Sequence, residues 1–219
     1  VDAFPAYMNN QTGRIHTSLN QTITATGRLS STSPNFQNIP IRTDTGRQLR
    51  KAFIPQEKGW VILSADYSQV ELRIMAHYSK EPELIQAFKD DADIHNRTAA
   101  LVHGIYESHV TPEQRRSAKV VNFAIMYGAG PYRMSQELGI SMADARELID
   151  HYFKTYPGIR RYMDKTIENA RKNGYVETLY NRRRNIGNLN ATNMNLVRAA
   201  ERIAINMPIQ GTAADLIKI

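Results

Sequence analysis

Residues Trp60-Val-Ile-Leu-Ser-Ala65-Asp66-Tyr-Ser-Gln-Val-Glu71-Leu-Arg73 carry the change of period from which the fold can be read. The stretch up to Ala65 is an apolar run of strand length that stops at Asp66, the pattern of a buried strand. Ser68 and Glu71 have the spacing of a capping box. Val70, Ile74 and His77 then continue a helix on one face. The stretch predicts a strand that feeds directly into a helix, with a carboxylate at the junction.

On the N-terminal side, residues 1–59 are rich in Thr, Ser, Asn, Gln and Pro without a sustained helical period. They predict extended or looped chain with short strands. On the C-terminal side, periodicity predicts helices over about 82–103, 112–127, 141–155 and 158–173. Thr111-Pro-Glu113 is a strong helix start, with Thr at the cap and Pro at the first position. Tyr175-Val-Glu-Thr-Leu-Tyr180 alternates and runs into Asn181-Arg-Arg-Arg184, which predicts a hairpin arm with a basic turn. A last helix begins near Met194; Pro208 is expected to kink or end it, with helix resuming after Gly211. No internal repeat is visible. The fold class is α+β, dominated by helix.

The chain has 219 residues, 42% of them hydrophobic, which is enough for a core and excludes a disordered tail. It has no Cys, which excludes a disulfide scaffold, a thiolate zinc site and a Cys nucleophile. No apolar run approaches the ~20 residues of a membrane span. A first residue Val1, the absence of a leader and a helix-like run that reaches Ile219 without a stop signal suggest a fragment cut at both ends. Lys and Arg exceed Asp and Glu by 28 to 21, a net charge of +7. The excess is uneven: +4 over residues 1–60, −4 over 61–110 and +7 over 111–219. A basic chain with one acidic island fits a polyanionic partner and a site that collects cations, and equally an unevenly charged solvated surface.

Two groups of residues could carry chemistry. Asp66, at the carboxyl end of an apolar strand, offers the hard oxygen ligand that suits Mg²⁺, which binds one or two carboxylates together with substrate phosphates. A helix-entry Asp that merely caps has the same appearance. The second group is Arg115-Arg-Ser-Ala-Lys119-Val-Val-Asn122-Phe123-Ala-Ile-Met-Tyr127-Gly128. At ~100° per residue, Arg115, Lys119, Phe123 and Tyr127 fall at 0°, about 40°, about 80° and about 120°, so one stripe carries two cations and then two aromatics. Cations suit a triphosphate and aromatics suit a stacked base or sugar; a core helix with snorkelling cations would present the same pattern. Other matches are weak. Gly128-Ala-Gly130 follows no strand, so a dinucleotide fingerprint fails, and the six His include no His-Glu-x-x-His pair. His95, in the acidic island with Asp91 and Asp93, reads as a packing or capping residue.

Asp66-Tyr-Ser-Gln-Val-Glu-Leu-Arg73 resembles the first catalytic motif of the family A DNA polymerases, the bacterial DNA polymerase I type. Arg115 through Gly128 resembles the nucleotide-binding helix of the fingers in that family. Thr26-Gly-Arg-Leu-Ser-Ser31 with Asn35-Phe-Gln-Asn-Ile-Pro40 is similar to its primer–template segment. Glu201-Arg-Ile-Ala-Ile-Asn206 with Gln210-Gly-Thr-Ala-Ala-Asp215 is similar to its palm helices. The similarity runs from about Gly13 to Ile219. Ala124 and Ala129-Gly130 depart from residues common in the family, and there is no His-Asp pair for its third motif, which the resemblance places beyond Ile219.

The resemblance implies the palm and fingers of a right-hand polymerase with a small antiparallel sheet. Residues 1–80 would be palm with the primer–template segment, 81–185 fingers, and 186–219 a return to the palm. It implies template-directed addition of dNTPs to a primer 3′-hydroxyl by a two-Mg²⁺ mechanism, in a monomer acting in replication or repair. The setting would be the bacterial cytoplasm and nucleoid, or a phage-infected cell. Asp66 and the Tyr67 carbonyl would hold the metal ions, and Asp66 and Lys119 would be catalytic. Gln69, Glu71, His95, Arg115, Lys119, Phe123 and Tyr127 would line the dNTP site, with Glu71 excluding a 2′-hydroxyl. Arg28, Asn35, Gln37, Asn38, Arg202, Asn206 and Gln210 would contact duplex DNA. The chain alone is expected to bind duplex weakly and not to extend a primer, for want of the second carboxylate. Two other readings stand beside this one: a non-enzymatic duplex-binding module, and a single-subunit RNA polymerase, which Glu71 disfavours.

Overall fold

The computed structural model describes residues 4–40 and 43–219. The chain divides into two compact units, one reaching to Ser68 and the other spanning Gln69–Ile219.

The first unit is built from short strands, as its turn-rich sequence predicts. Strands β1 (Met8–Asn9) and β2 (Arg14–Ile15) pair antiparallel, with Met8 opposite Ile15. Strands β3 (Ser18–Asn20) and β4 (Ser30–Thr32) do the same, with Leu19 opposite Ser31. A short helix, α1 (Asp44–Arg50), was not expected; Thr43 caps it by accepting from the Gly46 amide at 3.1 Å. Phe36 meets Phe4 at 5.9 Å and Phe53 at 5.2 Å between ring centroids, the aromatic centre of this unit.

The apolar run Trp60–Ala65 overturns its expectation. It forms no strand and stands exposed, Val61 at 85% and Leu63 at 88%. A strand is a pairing, and no described segment offers this run a ladder; at its start the Trp60 amide donates to the Glu57 carbonyl at 3.2 Å, closing a turn in place of a strand. Asp66 therefore ends a solvated extended segment and not a buried strand.

The second unit is helical: α2 (Val70–Ser79), α3 (Pro82–Lys89), α4 (Ile94–His103), α5 (Pro112–Met126), α6 (Pro131–Leu138), α7 (Met142–Thr155) and α8 (Pro157–Asn173). Strands β5 (Tyr175–Glu177) and β6 (Arg183–Asn185) then form the expected hairpin, and α9 (Met194–Lys218) closes the chain. Pro opens α3, α5, α6 and α8, where its missing amide hydrogen costs nothing. The segment expected as one helix over about 82–103 is two, because Asp91 takes a left-handed φ of 50° and Asp93 caps a new start.

Helix α9 differs from its expectation in the opposite sense: it runs unbroken through Pro208 and past Gly211. Residues 204–205 and 207–209 are buried, and small Ala204 sits four residues before the proline, where the ring crowds the preceding turn. Burial of this stretch outweighs the one lost hydrogen bond.

The core of this unit gathers Leu72, Met75, Leu84, Ile94, Met126, Met134, Tyr152, Tyr156, Ile159 and Ile209. Full burial of each large apolar side chain contributes roughly 1.5–3 kcal/mol. A smaller core of Ala170, Val176, Ile186, Leu189, Ala200, Ala204 and Met207 joins α8, the hairpin and α9. His77, expected on the buried face of α2, is exposed. No helix among the described residues is long and apolar enough to cross a membrane.

Glu81, only 2% exposed, ties the α2–α3 turn to the start of α8 by accepting a hydrogen bond from the Gly158 amide at 2.6 Å. A Cβ on Gly158 would stand 2.6 Å from the Glu81 Oε2 and 3.0 Å from the Ser79 carbonyl oxygen. Gly158→Ala should accordingly cost about 1–3 kcal/mol of stability. Urea unfolding of the two proteins measures it, and an unchanged midpoint would mean that the clasp yields freely.

Candidate functional site

Helix α5 is fixed at its start by a complete capping box: Thr111 Oγ1 accepts from the Gln114 amide at 3.2 Å and Gln114 Oε1 accepts from the Thr111 amide at 2.9 Å. Ala118, Val121, Ala124, Ile125 and Met126 bury one face. Arg115 and Lys119 are left exposed, and Phe123 and Tyr127 half-buried, so the stripe stands where the spacing predicts it. The Phe123 and Tyr127 rings stack with centroids 6.3 Å apart and planes 23° apart.

Helix α4 supplies the groups beside the two cations. Asp93 caps it, its Oδ1 accepting from the amides of His95 at 3.0 Å and Asn96 at 3.1 Å, while its Oδ2 accepts from Arg115 Nε at 2.7 Å. Burial works against the Asp93 charge, but Arg115 and the two amides outweigh it and hold the carboxyl below its ordinary range. Lys119 makes no hydrogen bond or ion pair among the described residues. His95 is 3% exposed, with its ring centroid 5.8 Å from that of Phe123. Burial pushes its pKa down and the Lys119 and Arg115 charges push the same way, against Asp93, so the folded ring stays neutral at pH 7.

Behind the ring lies a fully buried polar group. Asn122 Nδ2 is 3.1 Å from His95 Nδ1 and 3.1 Å from Thr98 Oγ1, and Thr98 Oγ1 is 3.1 Å from the Tyr156 hydroxyl. Burial pushes the Tyr156 pKa up to about 12, outweighing the opposing Thr98 hydrogen bond, so Tyr156 is a neutral member of the group.

At the far end of α5 the Tyr127 hydroxyl donates to Glu71 Oε2 at 2.6 Å. The capping box expected at Ser68–Glu71 does not open α2. The N-cap of α2 is Gln69, left-handed at φ 54° and without a side-chain cap bond, and Glu71 turns into the interior. Asn206 on α9 donates from Nδ2 to the Tyr127 carbonyl at 3.3 Å, and its buried Oδ1 finds no hydrogen-bond partner among the described residues. Gly128, at φ +68°, lets the chain leave α5 against Arg202; a Cβ there would stand 3.0 Å from Arg202 Cγ. Glu71, Phe123, Tyr127, Arg202 and Asn206 thus surround one end of α5, and His95, Arg115 and Lys119 the other. Gln210 is half-buried further along α9.

The remaining candidates belong to the first unit. Asn35 Oδ1 accepts from the Gln37 amide at 2.9 Å, and Gln37 Nε2 donates to the Leu29 carbonyl at 3.1 Å. Arg28, Asn35, Gln37, Asn38, Asp66 and Tyr67 are all exposed. Among the described residues no three His, Asp or Glu side chains gather closely enough to hold a metal ion. The exposed Asp66 carboxylate followed by the Tyr67 carbonyl fits part of a Mg²⁺ site, an ion that takes few protein oxygens and completes its shell with water and phosphate.

The sequence reading gave Asp93, Thr98 and Asn122 no role in the site. Asn122 carried a signal: it is the one polar residue in Val120–Met126, seven positions after Arg115 and hence on nearly the same stripe.

The model of the family described as DNA polymerase family A matches residues 1–219. DNA polymerase I of Deinococcus radiodurans is 52% identical over the whole of this chain, which covers 23% of that protein. The thermostable DNA polymerase I of Thermus aquaticus is 48% identical over the whole chain, which covers 26% of it. Among solved structures, the POL domain of Pol1 from M. smegmatis, in complex with DNA primer-template and dNTP, superposes with a TM-score of 0.90 at 45% identity. That match covers 99% of this chain and 38% of the other. The chain spans about a quarter of the length of these curated relatives.

His95 generates a pH prediction. An unfolded chain protonates this residue near its ordinary 6.5, whereas the folded ring resists protonation, so stability is full above pH 6.5 and falls as the pH drops through the window beneath. Asp93 has its pKa lowered on folding; its contribution is present above its ordinary 3.8 and is lost at lower pH. His95→Gln should flatten the loss of stability as the pH falls below about 6.5, measured by urea unfolding across pH. An equal slope in both proteins would mean that the ring titrates normally.

Proposed function

Because the chain belongs to DNA polymerase family A, we propose that it is the palm and fingers part of a DNA-directed DNA polymerase. The observation that carries this reading is the α5 stripe, on which exposed Arg115 and Lys119 lead into stacked Phe123 and Tyr127. The reaction is attack of a primer 3′-oxygen on the α-phosphorus of a dNTP. One P–O bond forms, the bond to the β-phosphate breaks, and pyrophosphate leaves.

Each residue has a part to play in that reaction. Lys119 and Arg115 hold the triphosphate, and Arg115 exchanges the Asp93 carboxylate for phosphate oxygens; such charge-assisted contacts strengthen as negative charge develops in the transition state. Lys119 delivers a proton to the departing pyrophosphate. Phe123 lies against the sugar and base, Tyr127 stands by the templating position, and Gln69 lies at the site's edge. Glu71, held by the Tyr127 hydroxyl, fills the space beneath the sugar and rejects a 2′-hydroxyl, which favours a DNA over an RNA polymerase. Asp66 and the Tyr67 carbonyl would hold Mg²⁺, an ion whose charge would stabilise the attacking and leaving oxygens. Arg28, Asn35, Gln37, Asn38, Arg202, Asn206 and Gln210 grip the primer–template through backbone and minor groove, contacts that position the duplex without reading its sequence.

The test is primer extension by the complete protein. Asp66→Asn should abolish extension and leave DNA affinity within about twofold, because one ligand is lost and no phosphate contact is; surviving activity would reduce Asp66 to a loop residue. Glu71→Ala should admit ribonucleotides at least about tenfold better relative to dNTPs, a gain of ~1.4 kcal/mol or more. A variant as selective as its parent would remove Glu71 from the sugar site.

A further inference from the structure

We infer that Asn122 is a positioning residue that sets the tautomer of His95, so that the imidazole presents an N–H, and not a lone pair, to the nucleotide's phosphates. The second half of that statement rests on the triphosphate reading given above; the first half does not.

His95 is neutral when folded, so only one of its two ring nitrogens carries hydrogen, and which one is decided by the partner of the other. That partner is Asn122, whose Nδ2 stands 3.1 Å from Nδ1. An amide nitrogen only donates, so Nδ1 must accept and the ring hydrogen lies on Nε2. The Asn122 amide sits against Thr98 Oγ1, 3.1 Å from its nitrogen and 3.3 Å from its oxygen, and Thr98 is braced by the Tyr156 hydroxyl at 3.1 Å; the end that reaches His95 is the nitrogen. Thr98 and Asn122 are wholly buried and Tyr156 is 1% exposed, so water is not there to exchange for these partners. With the amide reversed, Nδ1 would carry the hydrogen and Nε2 would present a lone pair, which a phosphate oxygen repels. The Asn122 amide nitrogen therefore sets which face of the imidazole donates, with no net charge of its own.

The position is also economical in the helix. Asn122 lies one residue before Phe123 and three after Lys119 on α5, so the helix that carries the phosphate cation and the aromatic face also carries the group that polarises α4. A backbone shift that moved Lys119 would move Asn122 with it, which keeps the histidine matched to the lysine.

The experiment is nitrogen NMR of the complete polymerase with imidazole-¹⁵N histidine, His95 being assigned by the signal lost in His95→Gln. With no nucleotide present, the ring is expected as the Nε2–H tautomer; an Nδ1–H tautomer would overturn the inference without any variant being made. Asn122→Leu, which keeps the volume and deletes the donor, should shift the ring towards Nδ1–H and raise the KM for dNTP about tenfold with a smaller change in kcat. Thr98→Val, which disturbs the same buried spot but leaves the Asn122 amide facing His95, should keep the Nε2–H tautomer. An unchanged tautomer in Asn122→Leu, or the same loss in Thr98→Val, would reduce Asn122 to packing. The tautomer is read without nucleotide and the KM with it, so failure of the positioning role and failure of the triphosphate reading give different results.

Discussion

The contact between α4 and α5 is the one on which the site depends. Two helices meeting through apolar side chains alone can slide by a turn at modest cost, since one methyl packs much like another. Here the interface contains Asn122, Thr98 and the edge of His95, and each buried polar atom left without its partner would cost about 1–3 kcal/mol. Only one register satisfies them. That register brings the cap of α4 to the first turn of α5, where Asp93 meets Arg115, and sets the His95 ring beside Phe123. The polar group is thus less a source of net stability than a device for specifying alignment.

The opposite end of α5 is held by different means. Tyr127 is the C-cap that follows the last residue of α5, and its ring, hydroxyl and carbonyl each have a separate partner: Phe123, Glu71 and Asn206. These partners come from α5 itself, α2 and α9, segments spread over more than a hundred residues. Gly128 then turns away with a backbone conformation that a side chain would resist, both by its own φ and by the presence of Arg202. One end of the helix is aligned by a buried polar group and the other by an aromatic residue tied to α2 and α9. The stripe between them is accordingly presented by a rod pinned at both ends.

What the sequence disclosed depended on whether the deciding interaction was local. The start of α5 was legible because Thr111, Pro112 and Gln114 act on one another, and the stripe because it needs only the pitch of a helix. The hairpin after Tyr175 was legible for the same reason. Asp93 was visible in the acidic island but was read as charge, although its role as a helix cap is what divides the segment over 82–103. Glu71 had the spacing of a local cap, and a tyrosine fifty-six positions away took it instead. Pro208 signalled a break that burial of its neighbourhood overrode. Of the candidate site, Arg115, Lys119, Phe123 and Tyr127 were found together, whereas Asn122 and Thr98 were not, because a buried polar pair reveals itself only when two helices are brought face to face.

The exposed segment from Trp60 to Leu63 has a consequence for how this polypeptide behaves in a tube. Four large exposed apolar side chains in a stretch that pairs with no described strand form a template on which a second such segment can lay itself down. Glu57 and Lys58 stand before the run and Asp66 after it, charges that work as gatekeepers against that stacking. Added salt weakens the guard, because it screens the charges on either side of the run. The colloidal behaviour of the chain is therefore tied to the charges that flank this run and not to the helical core, so added salt favours self-association without unfolding a helix.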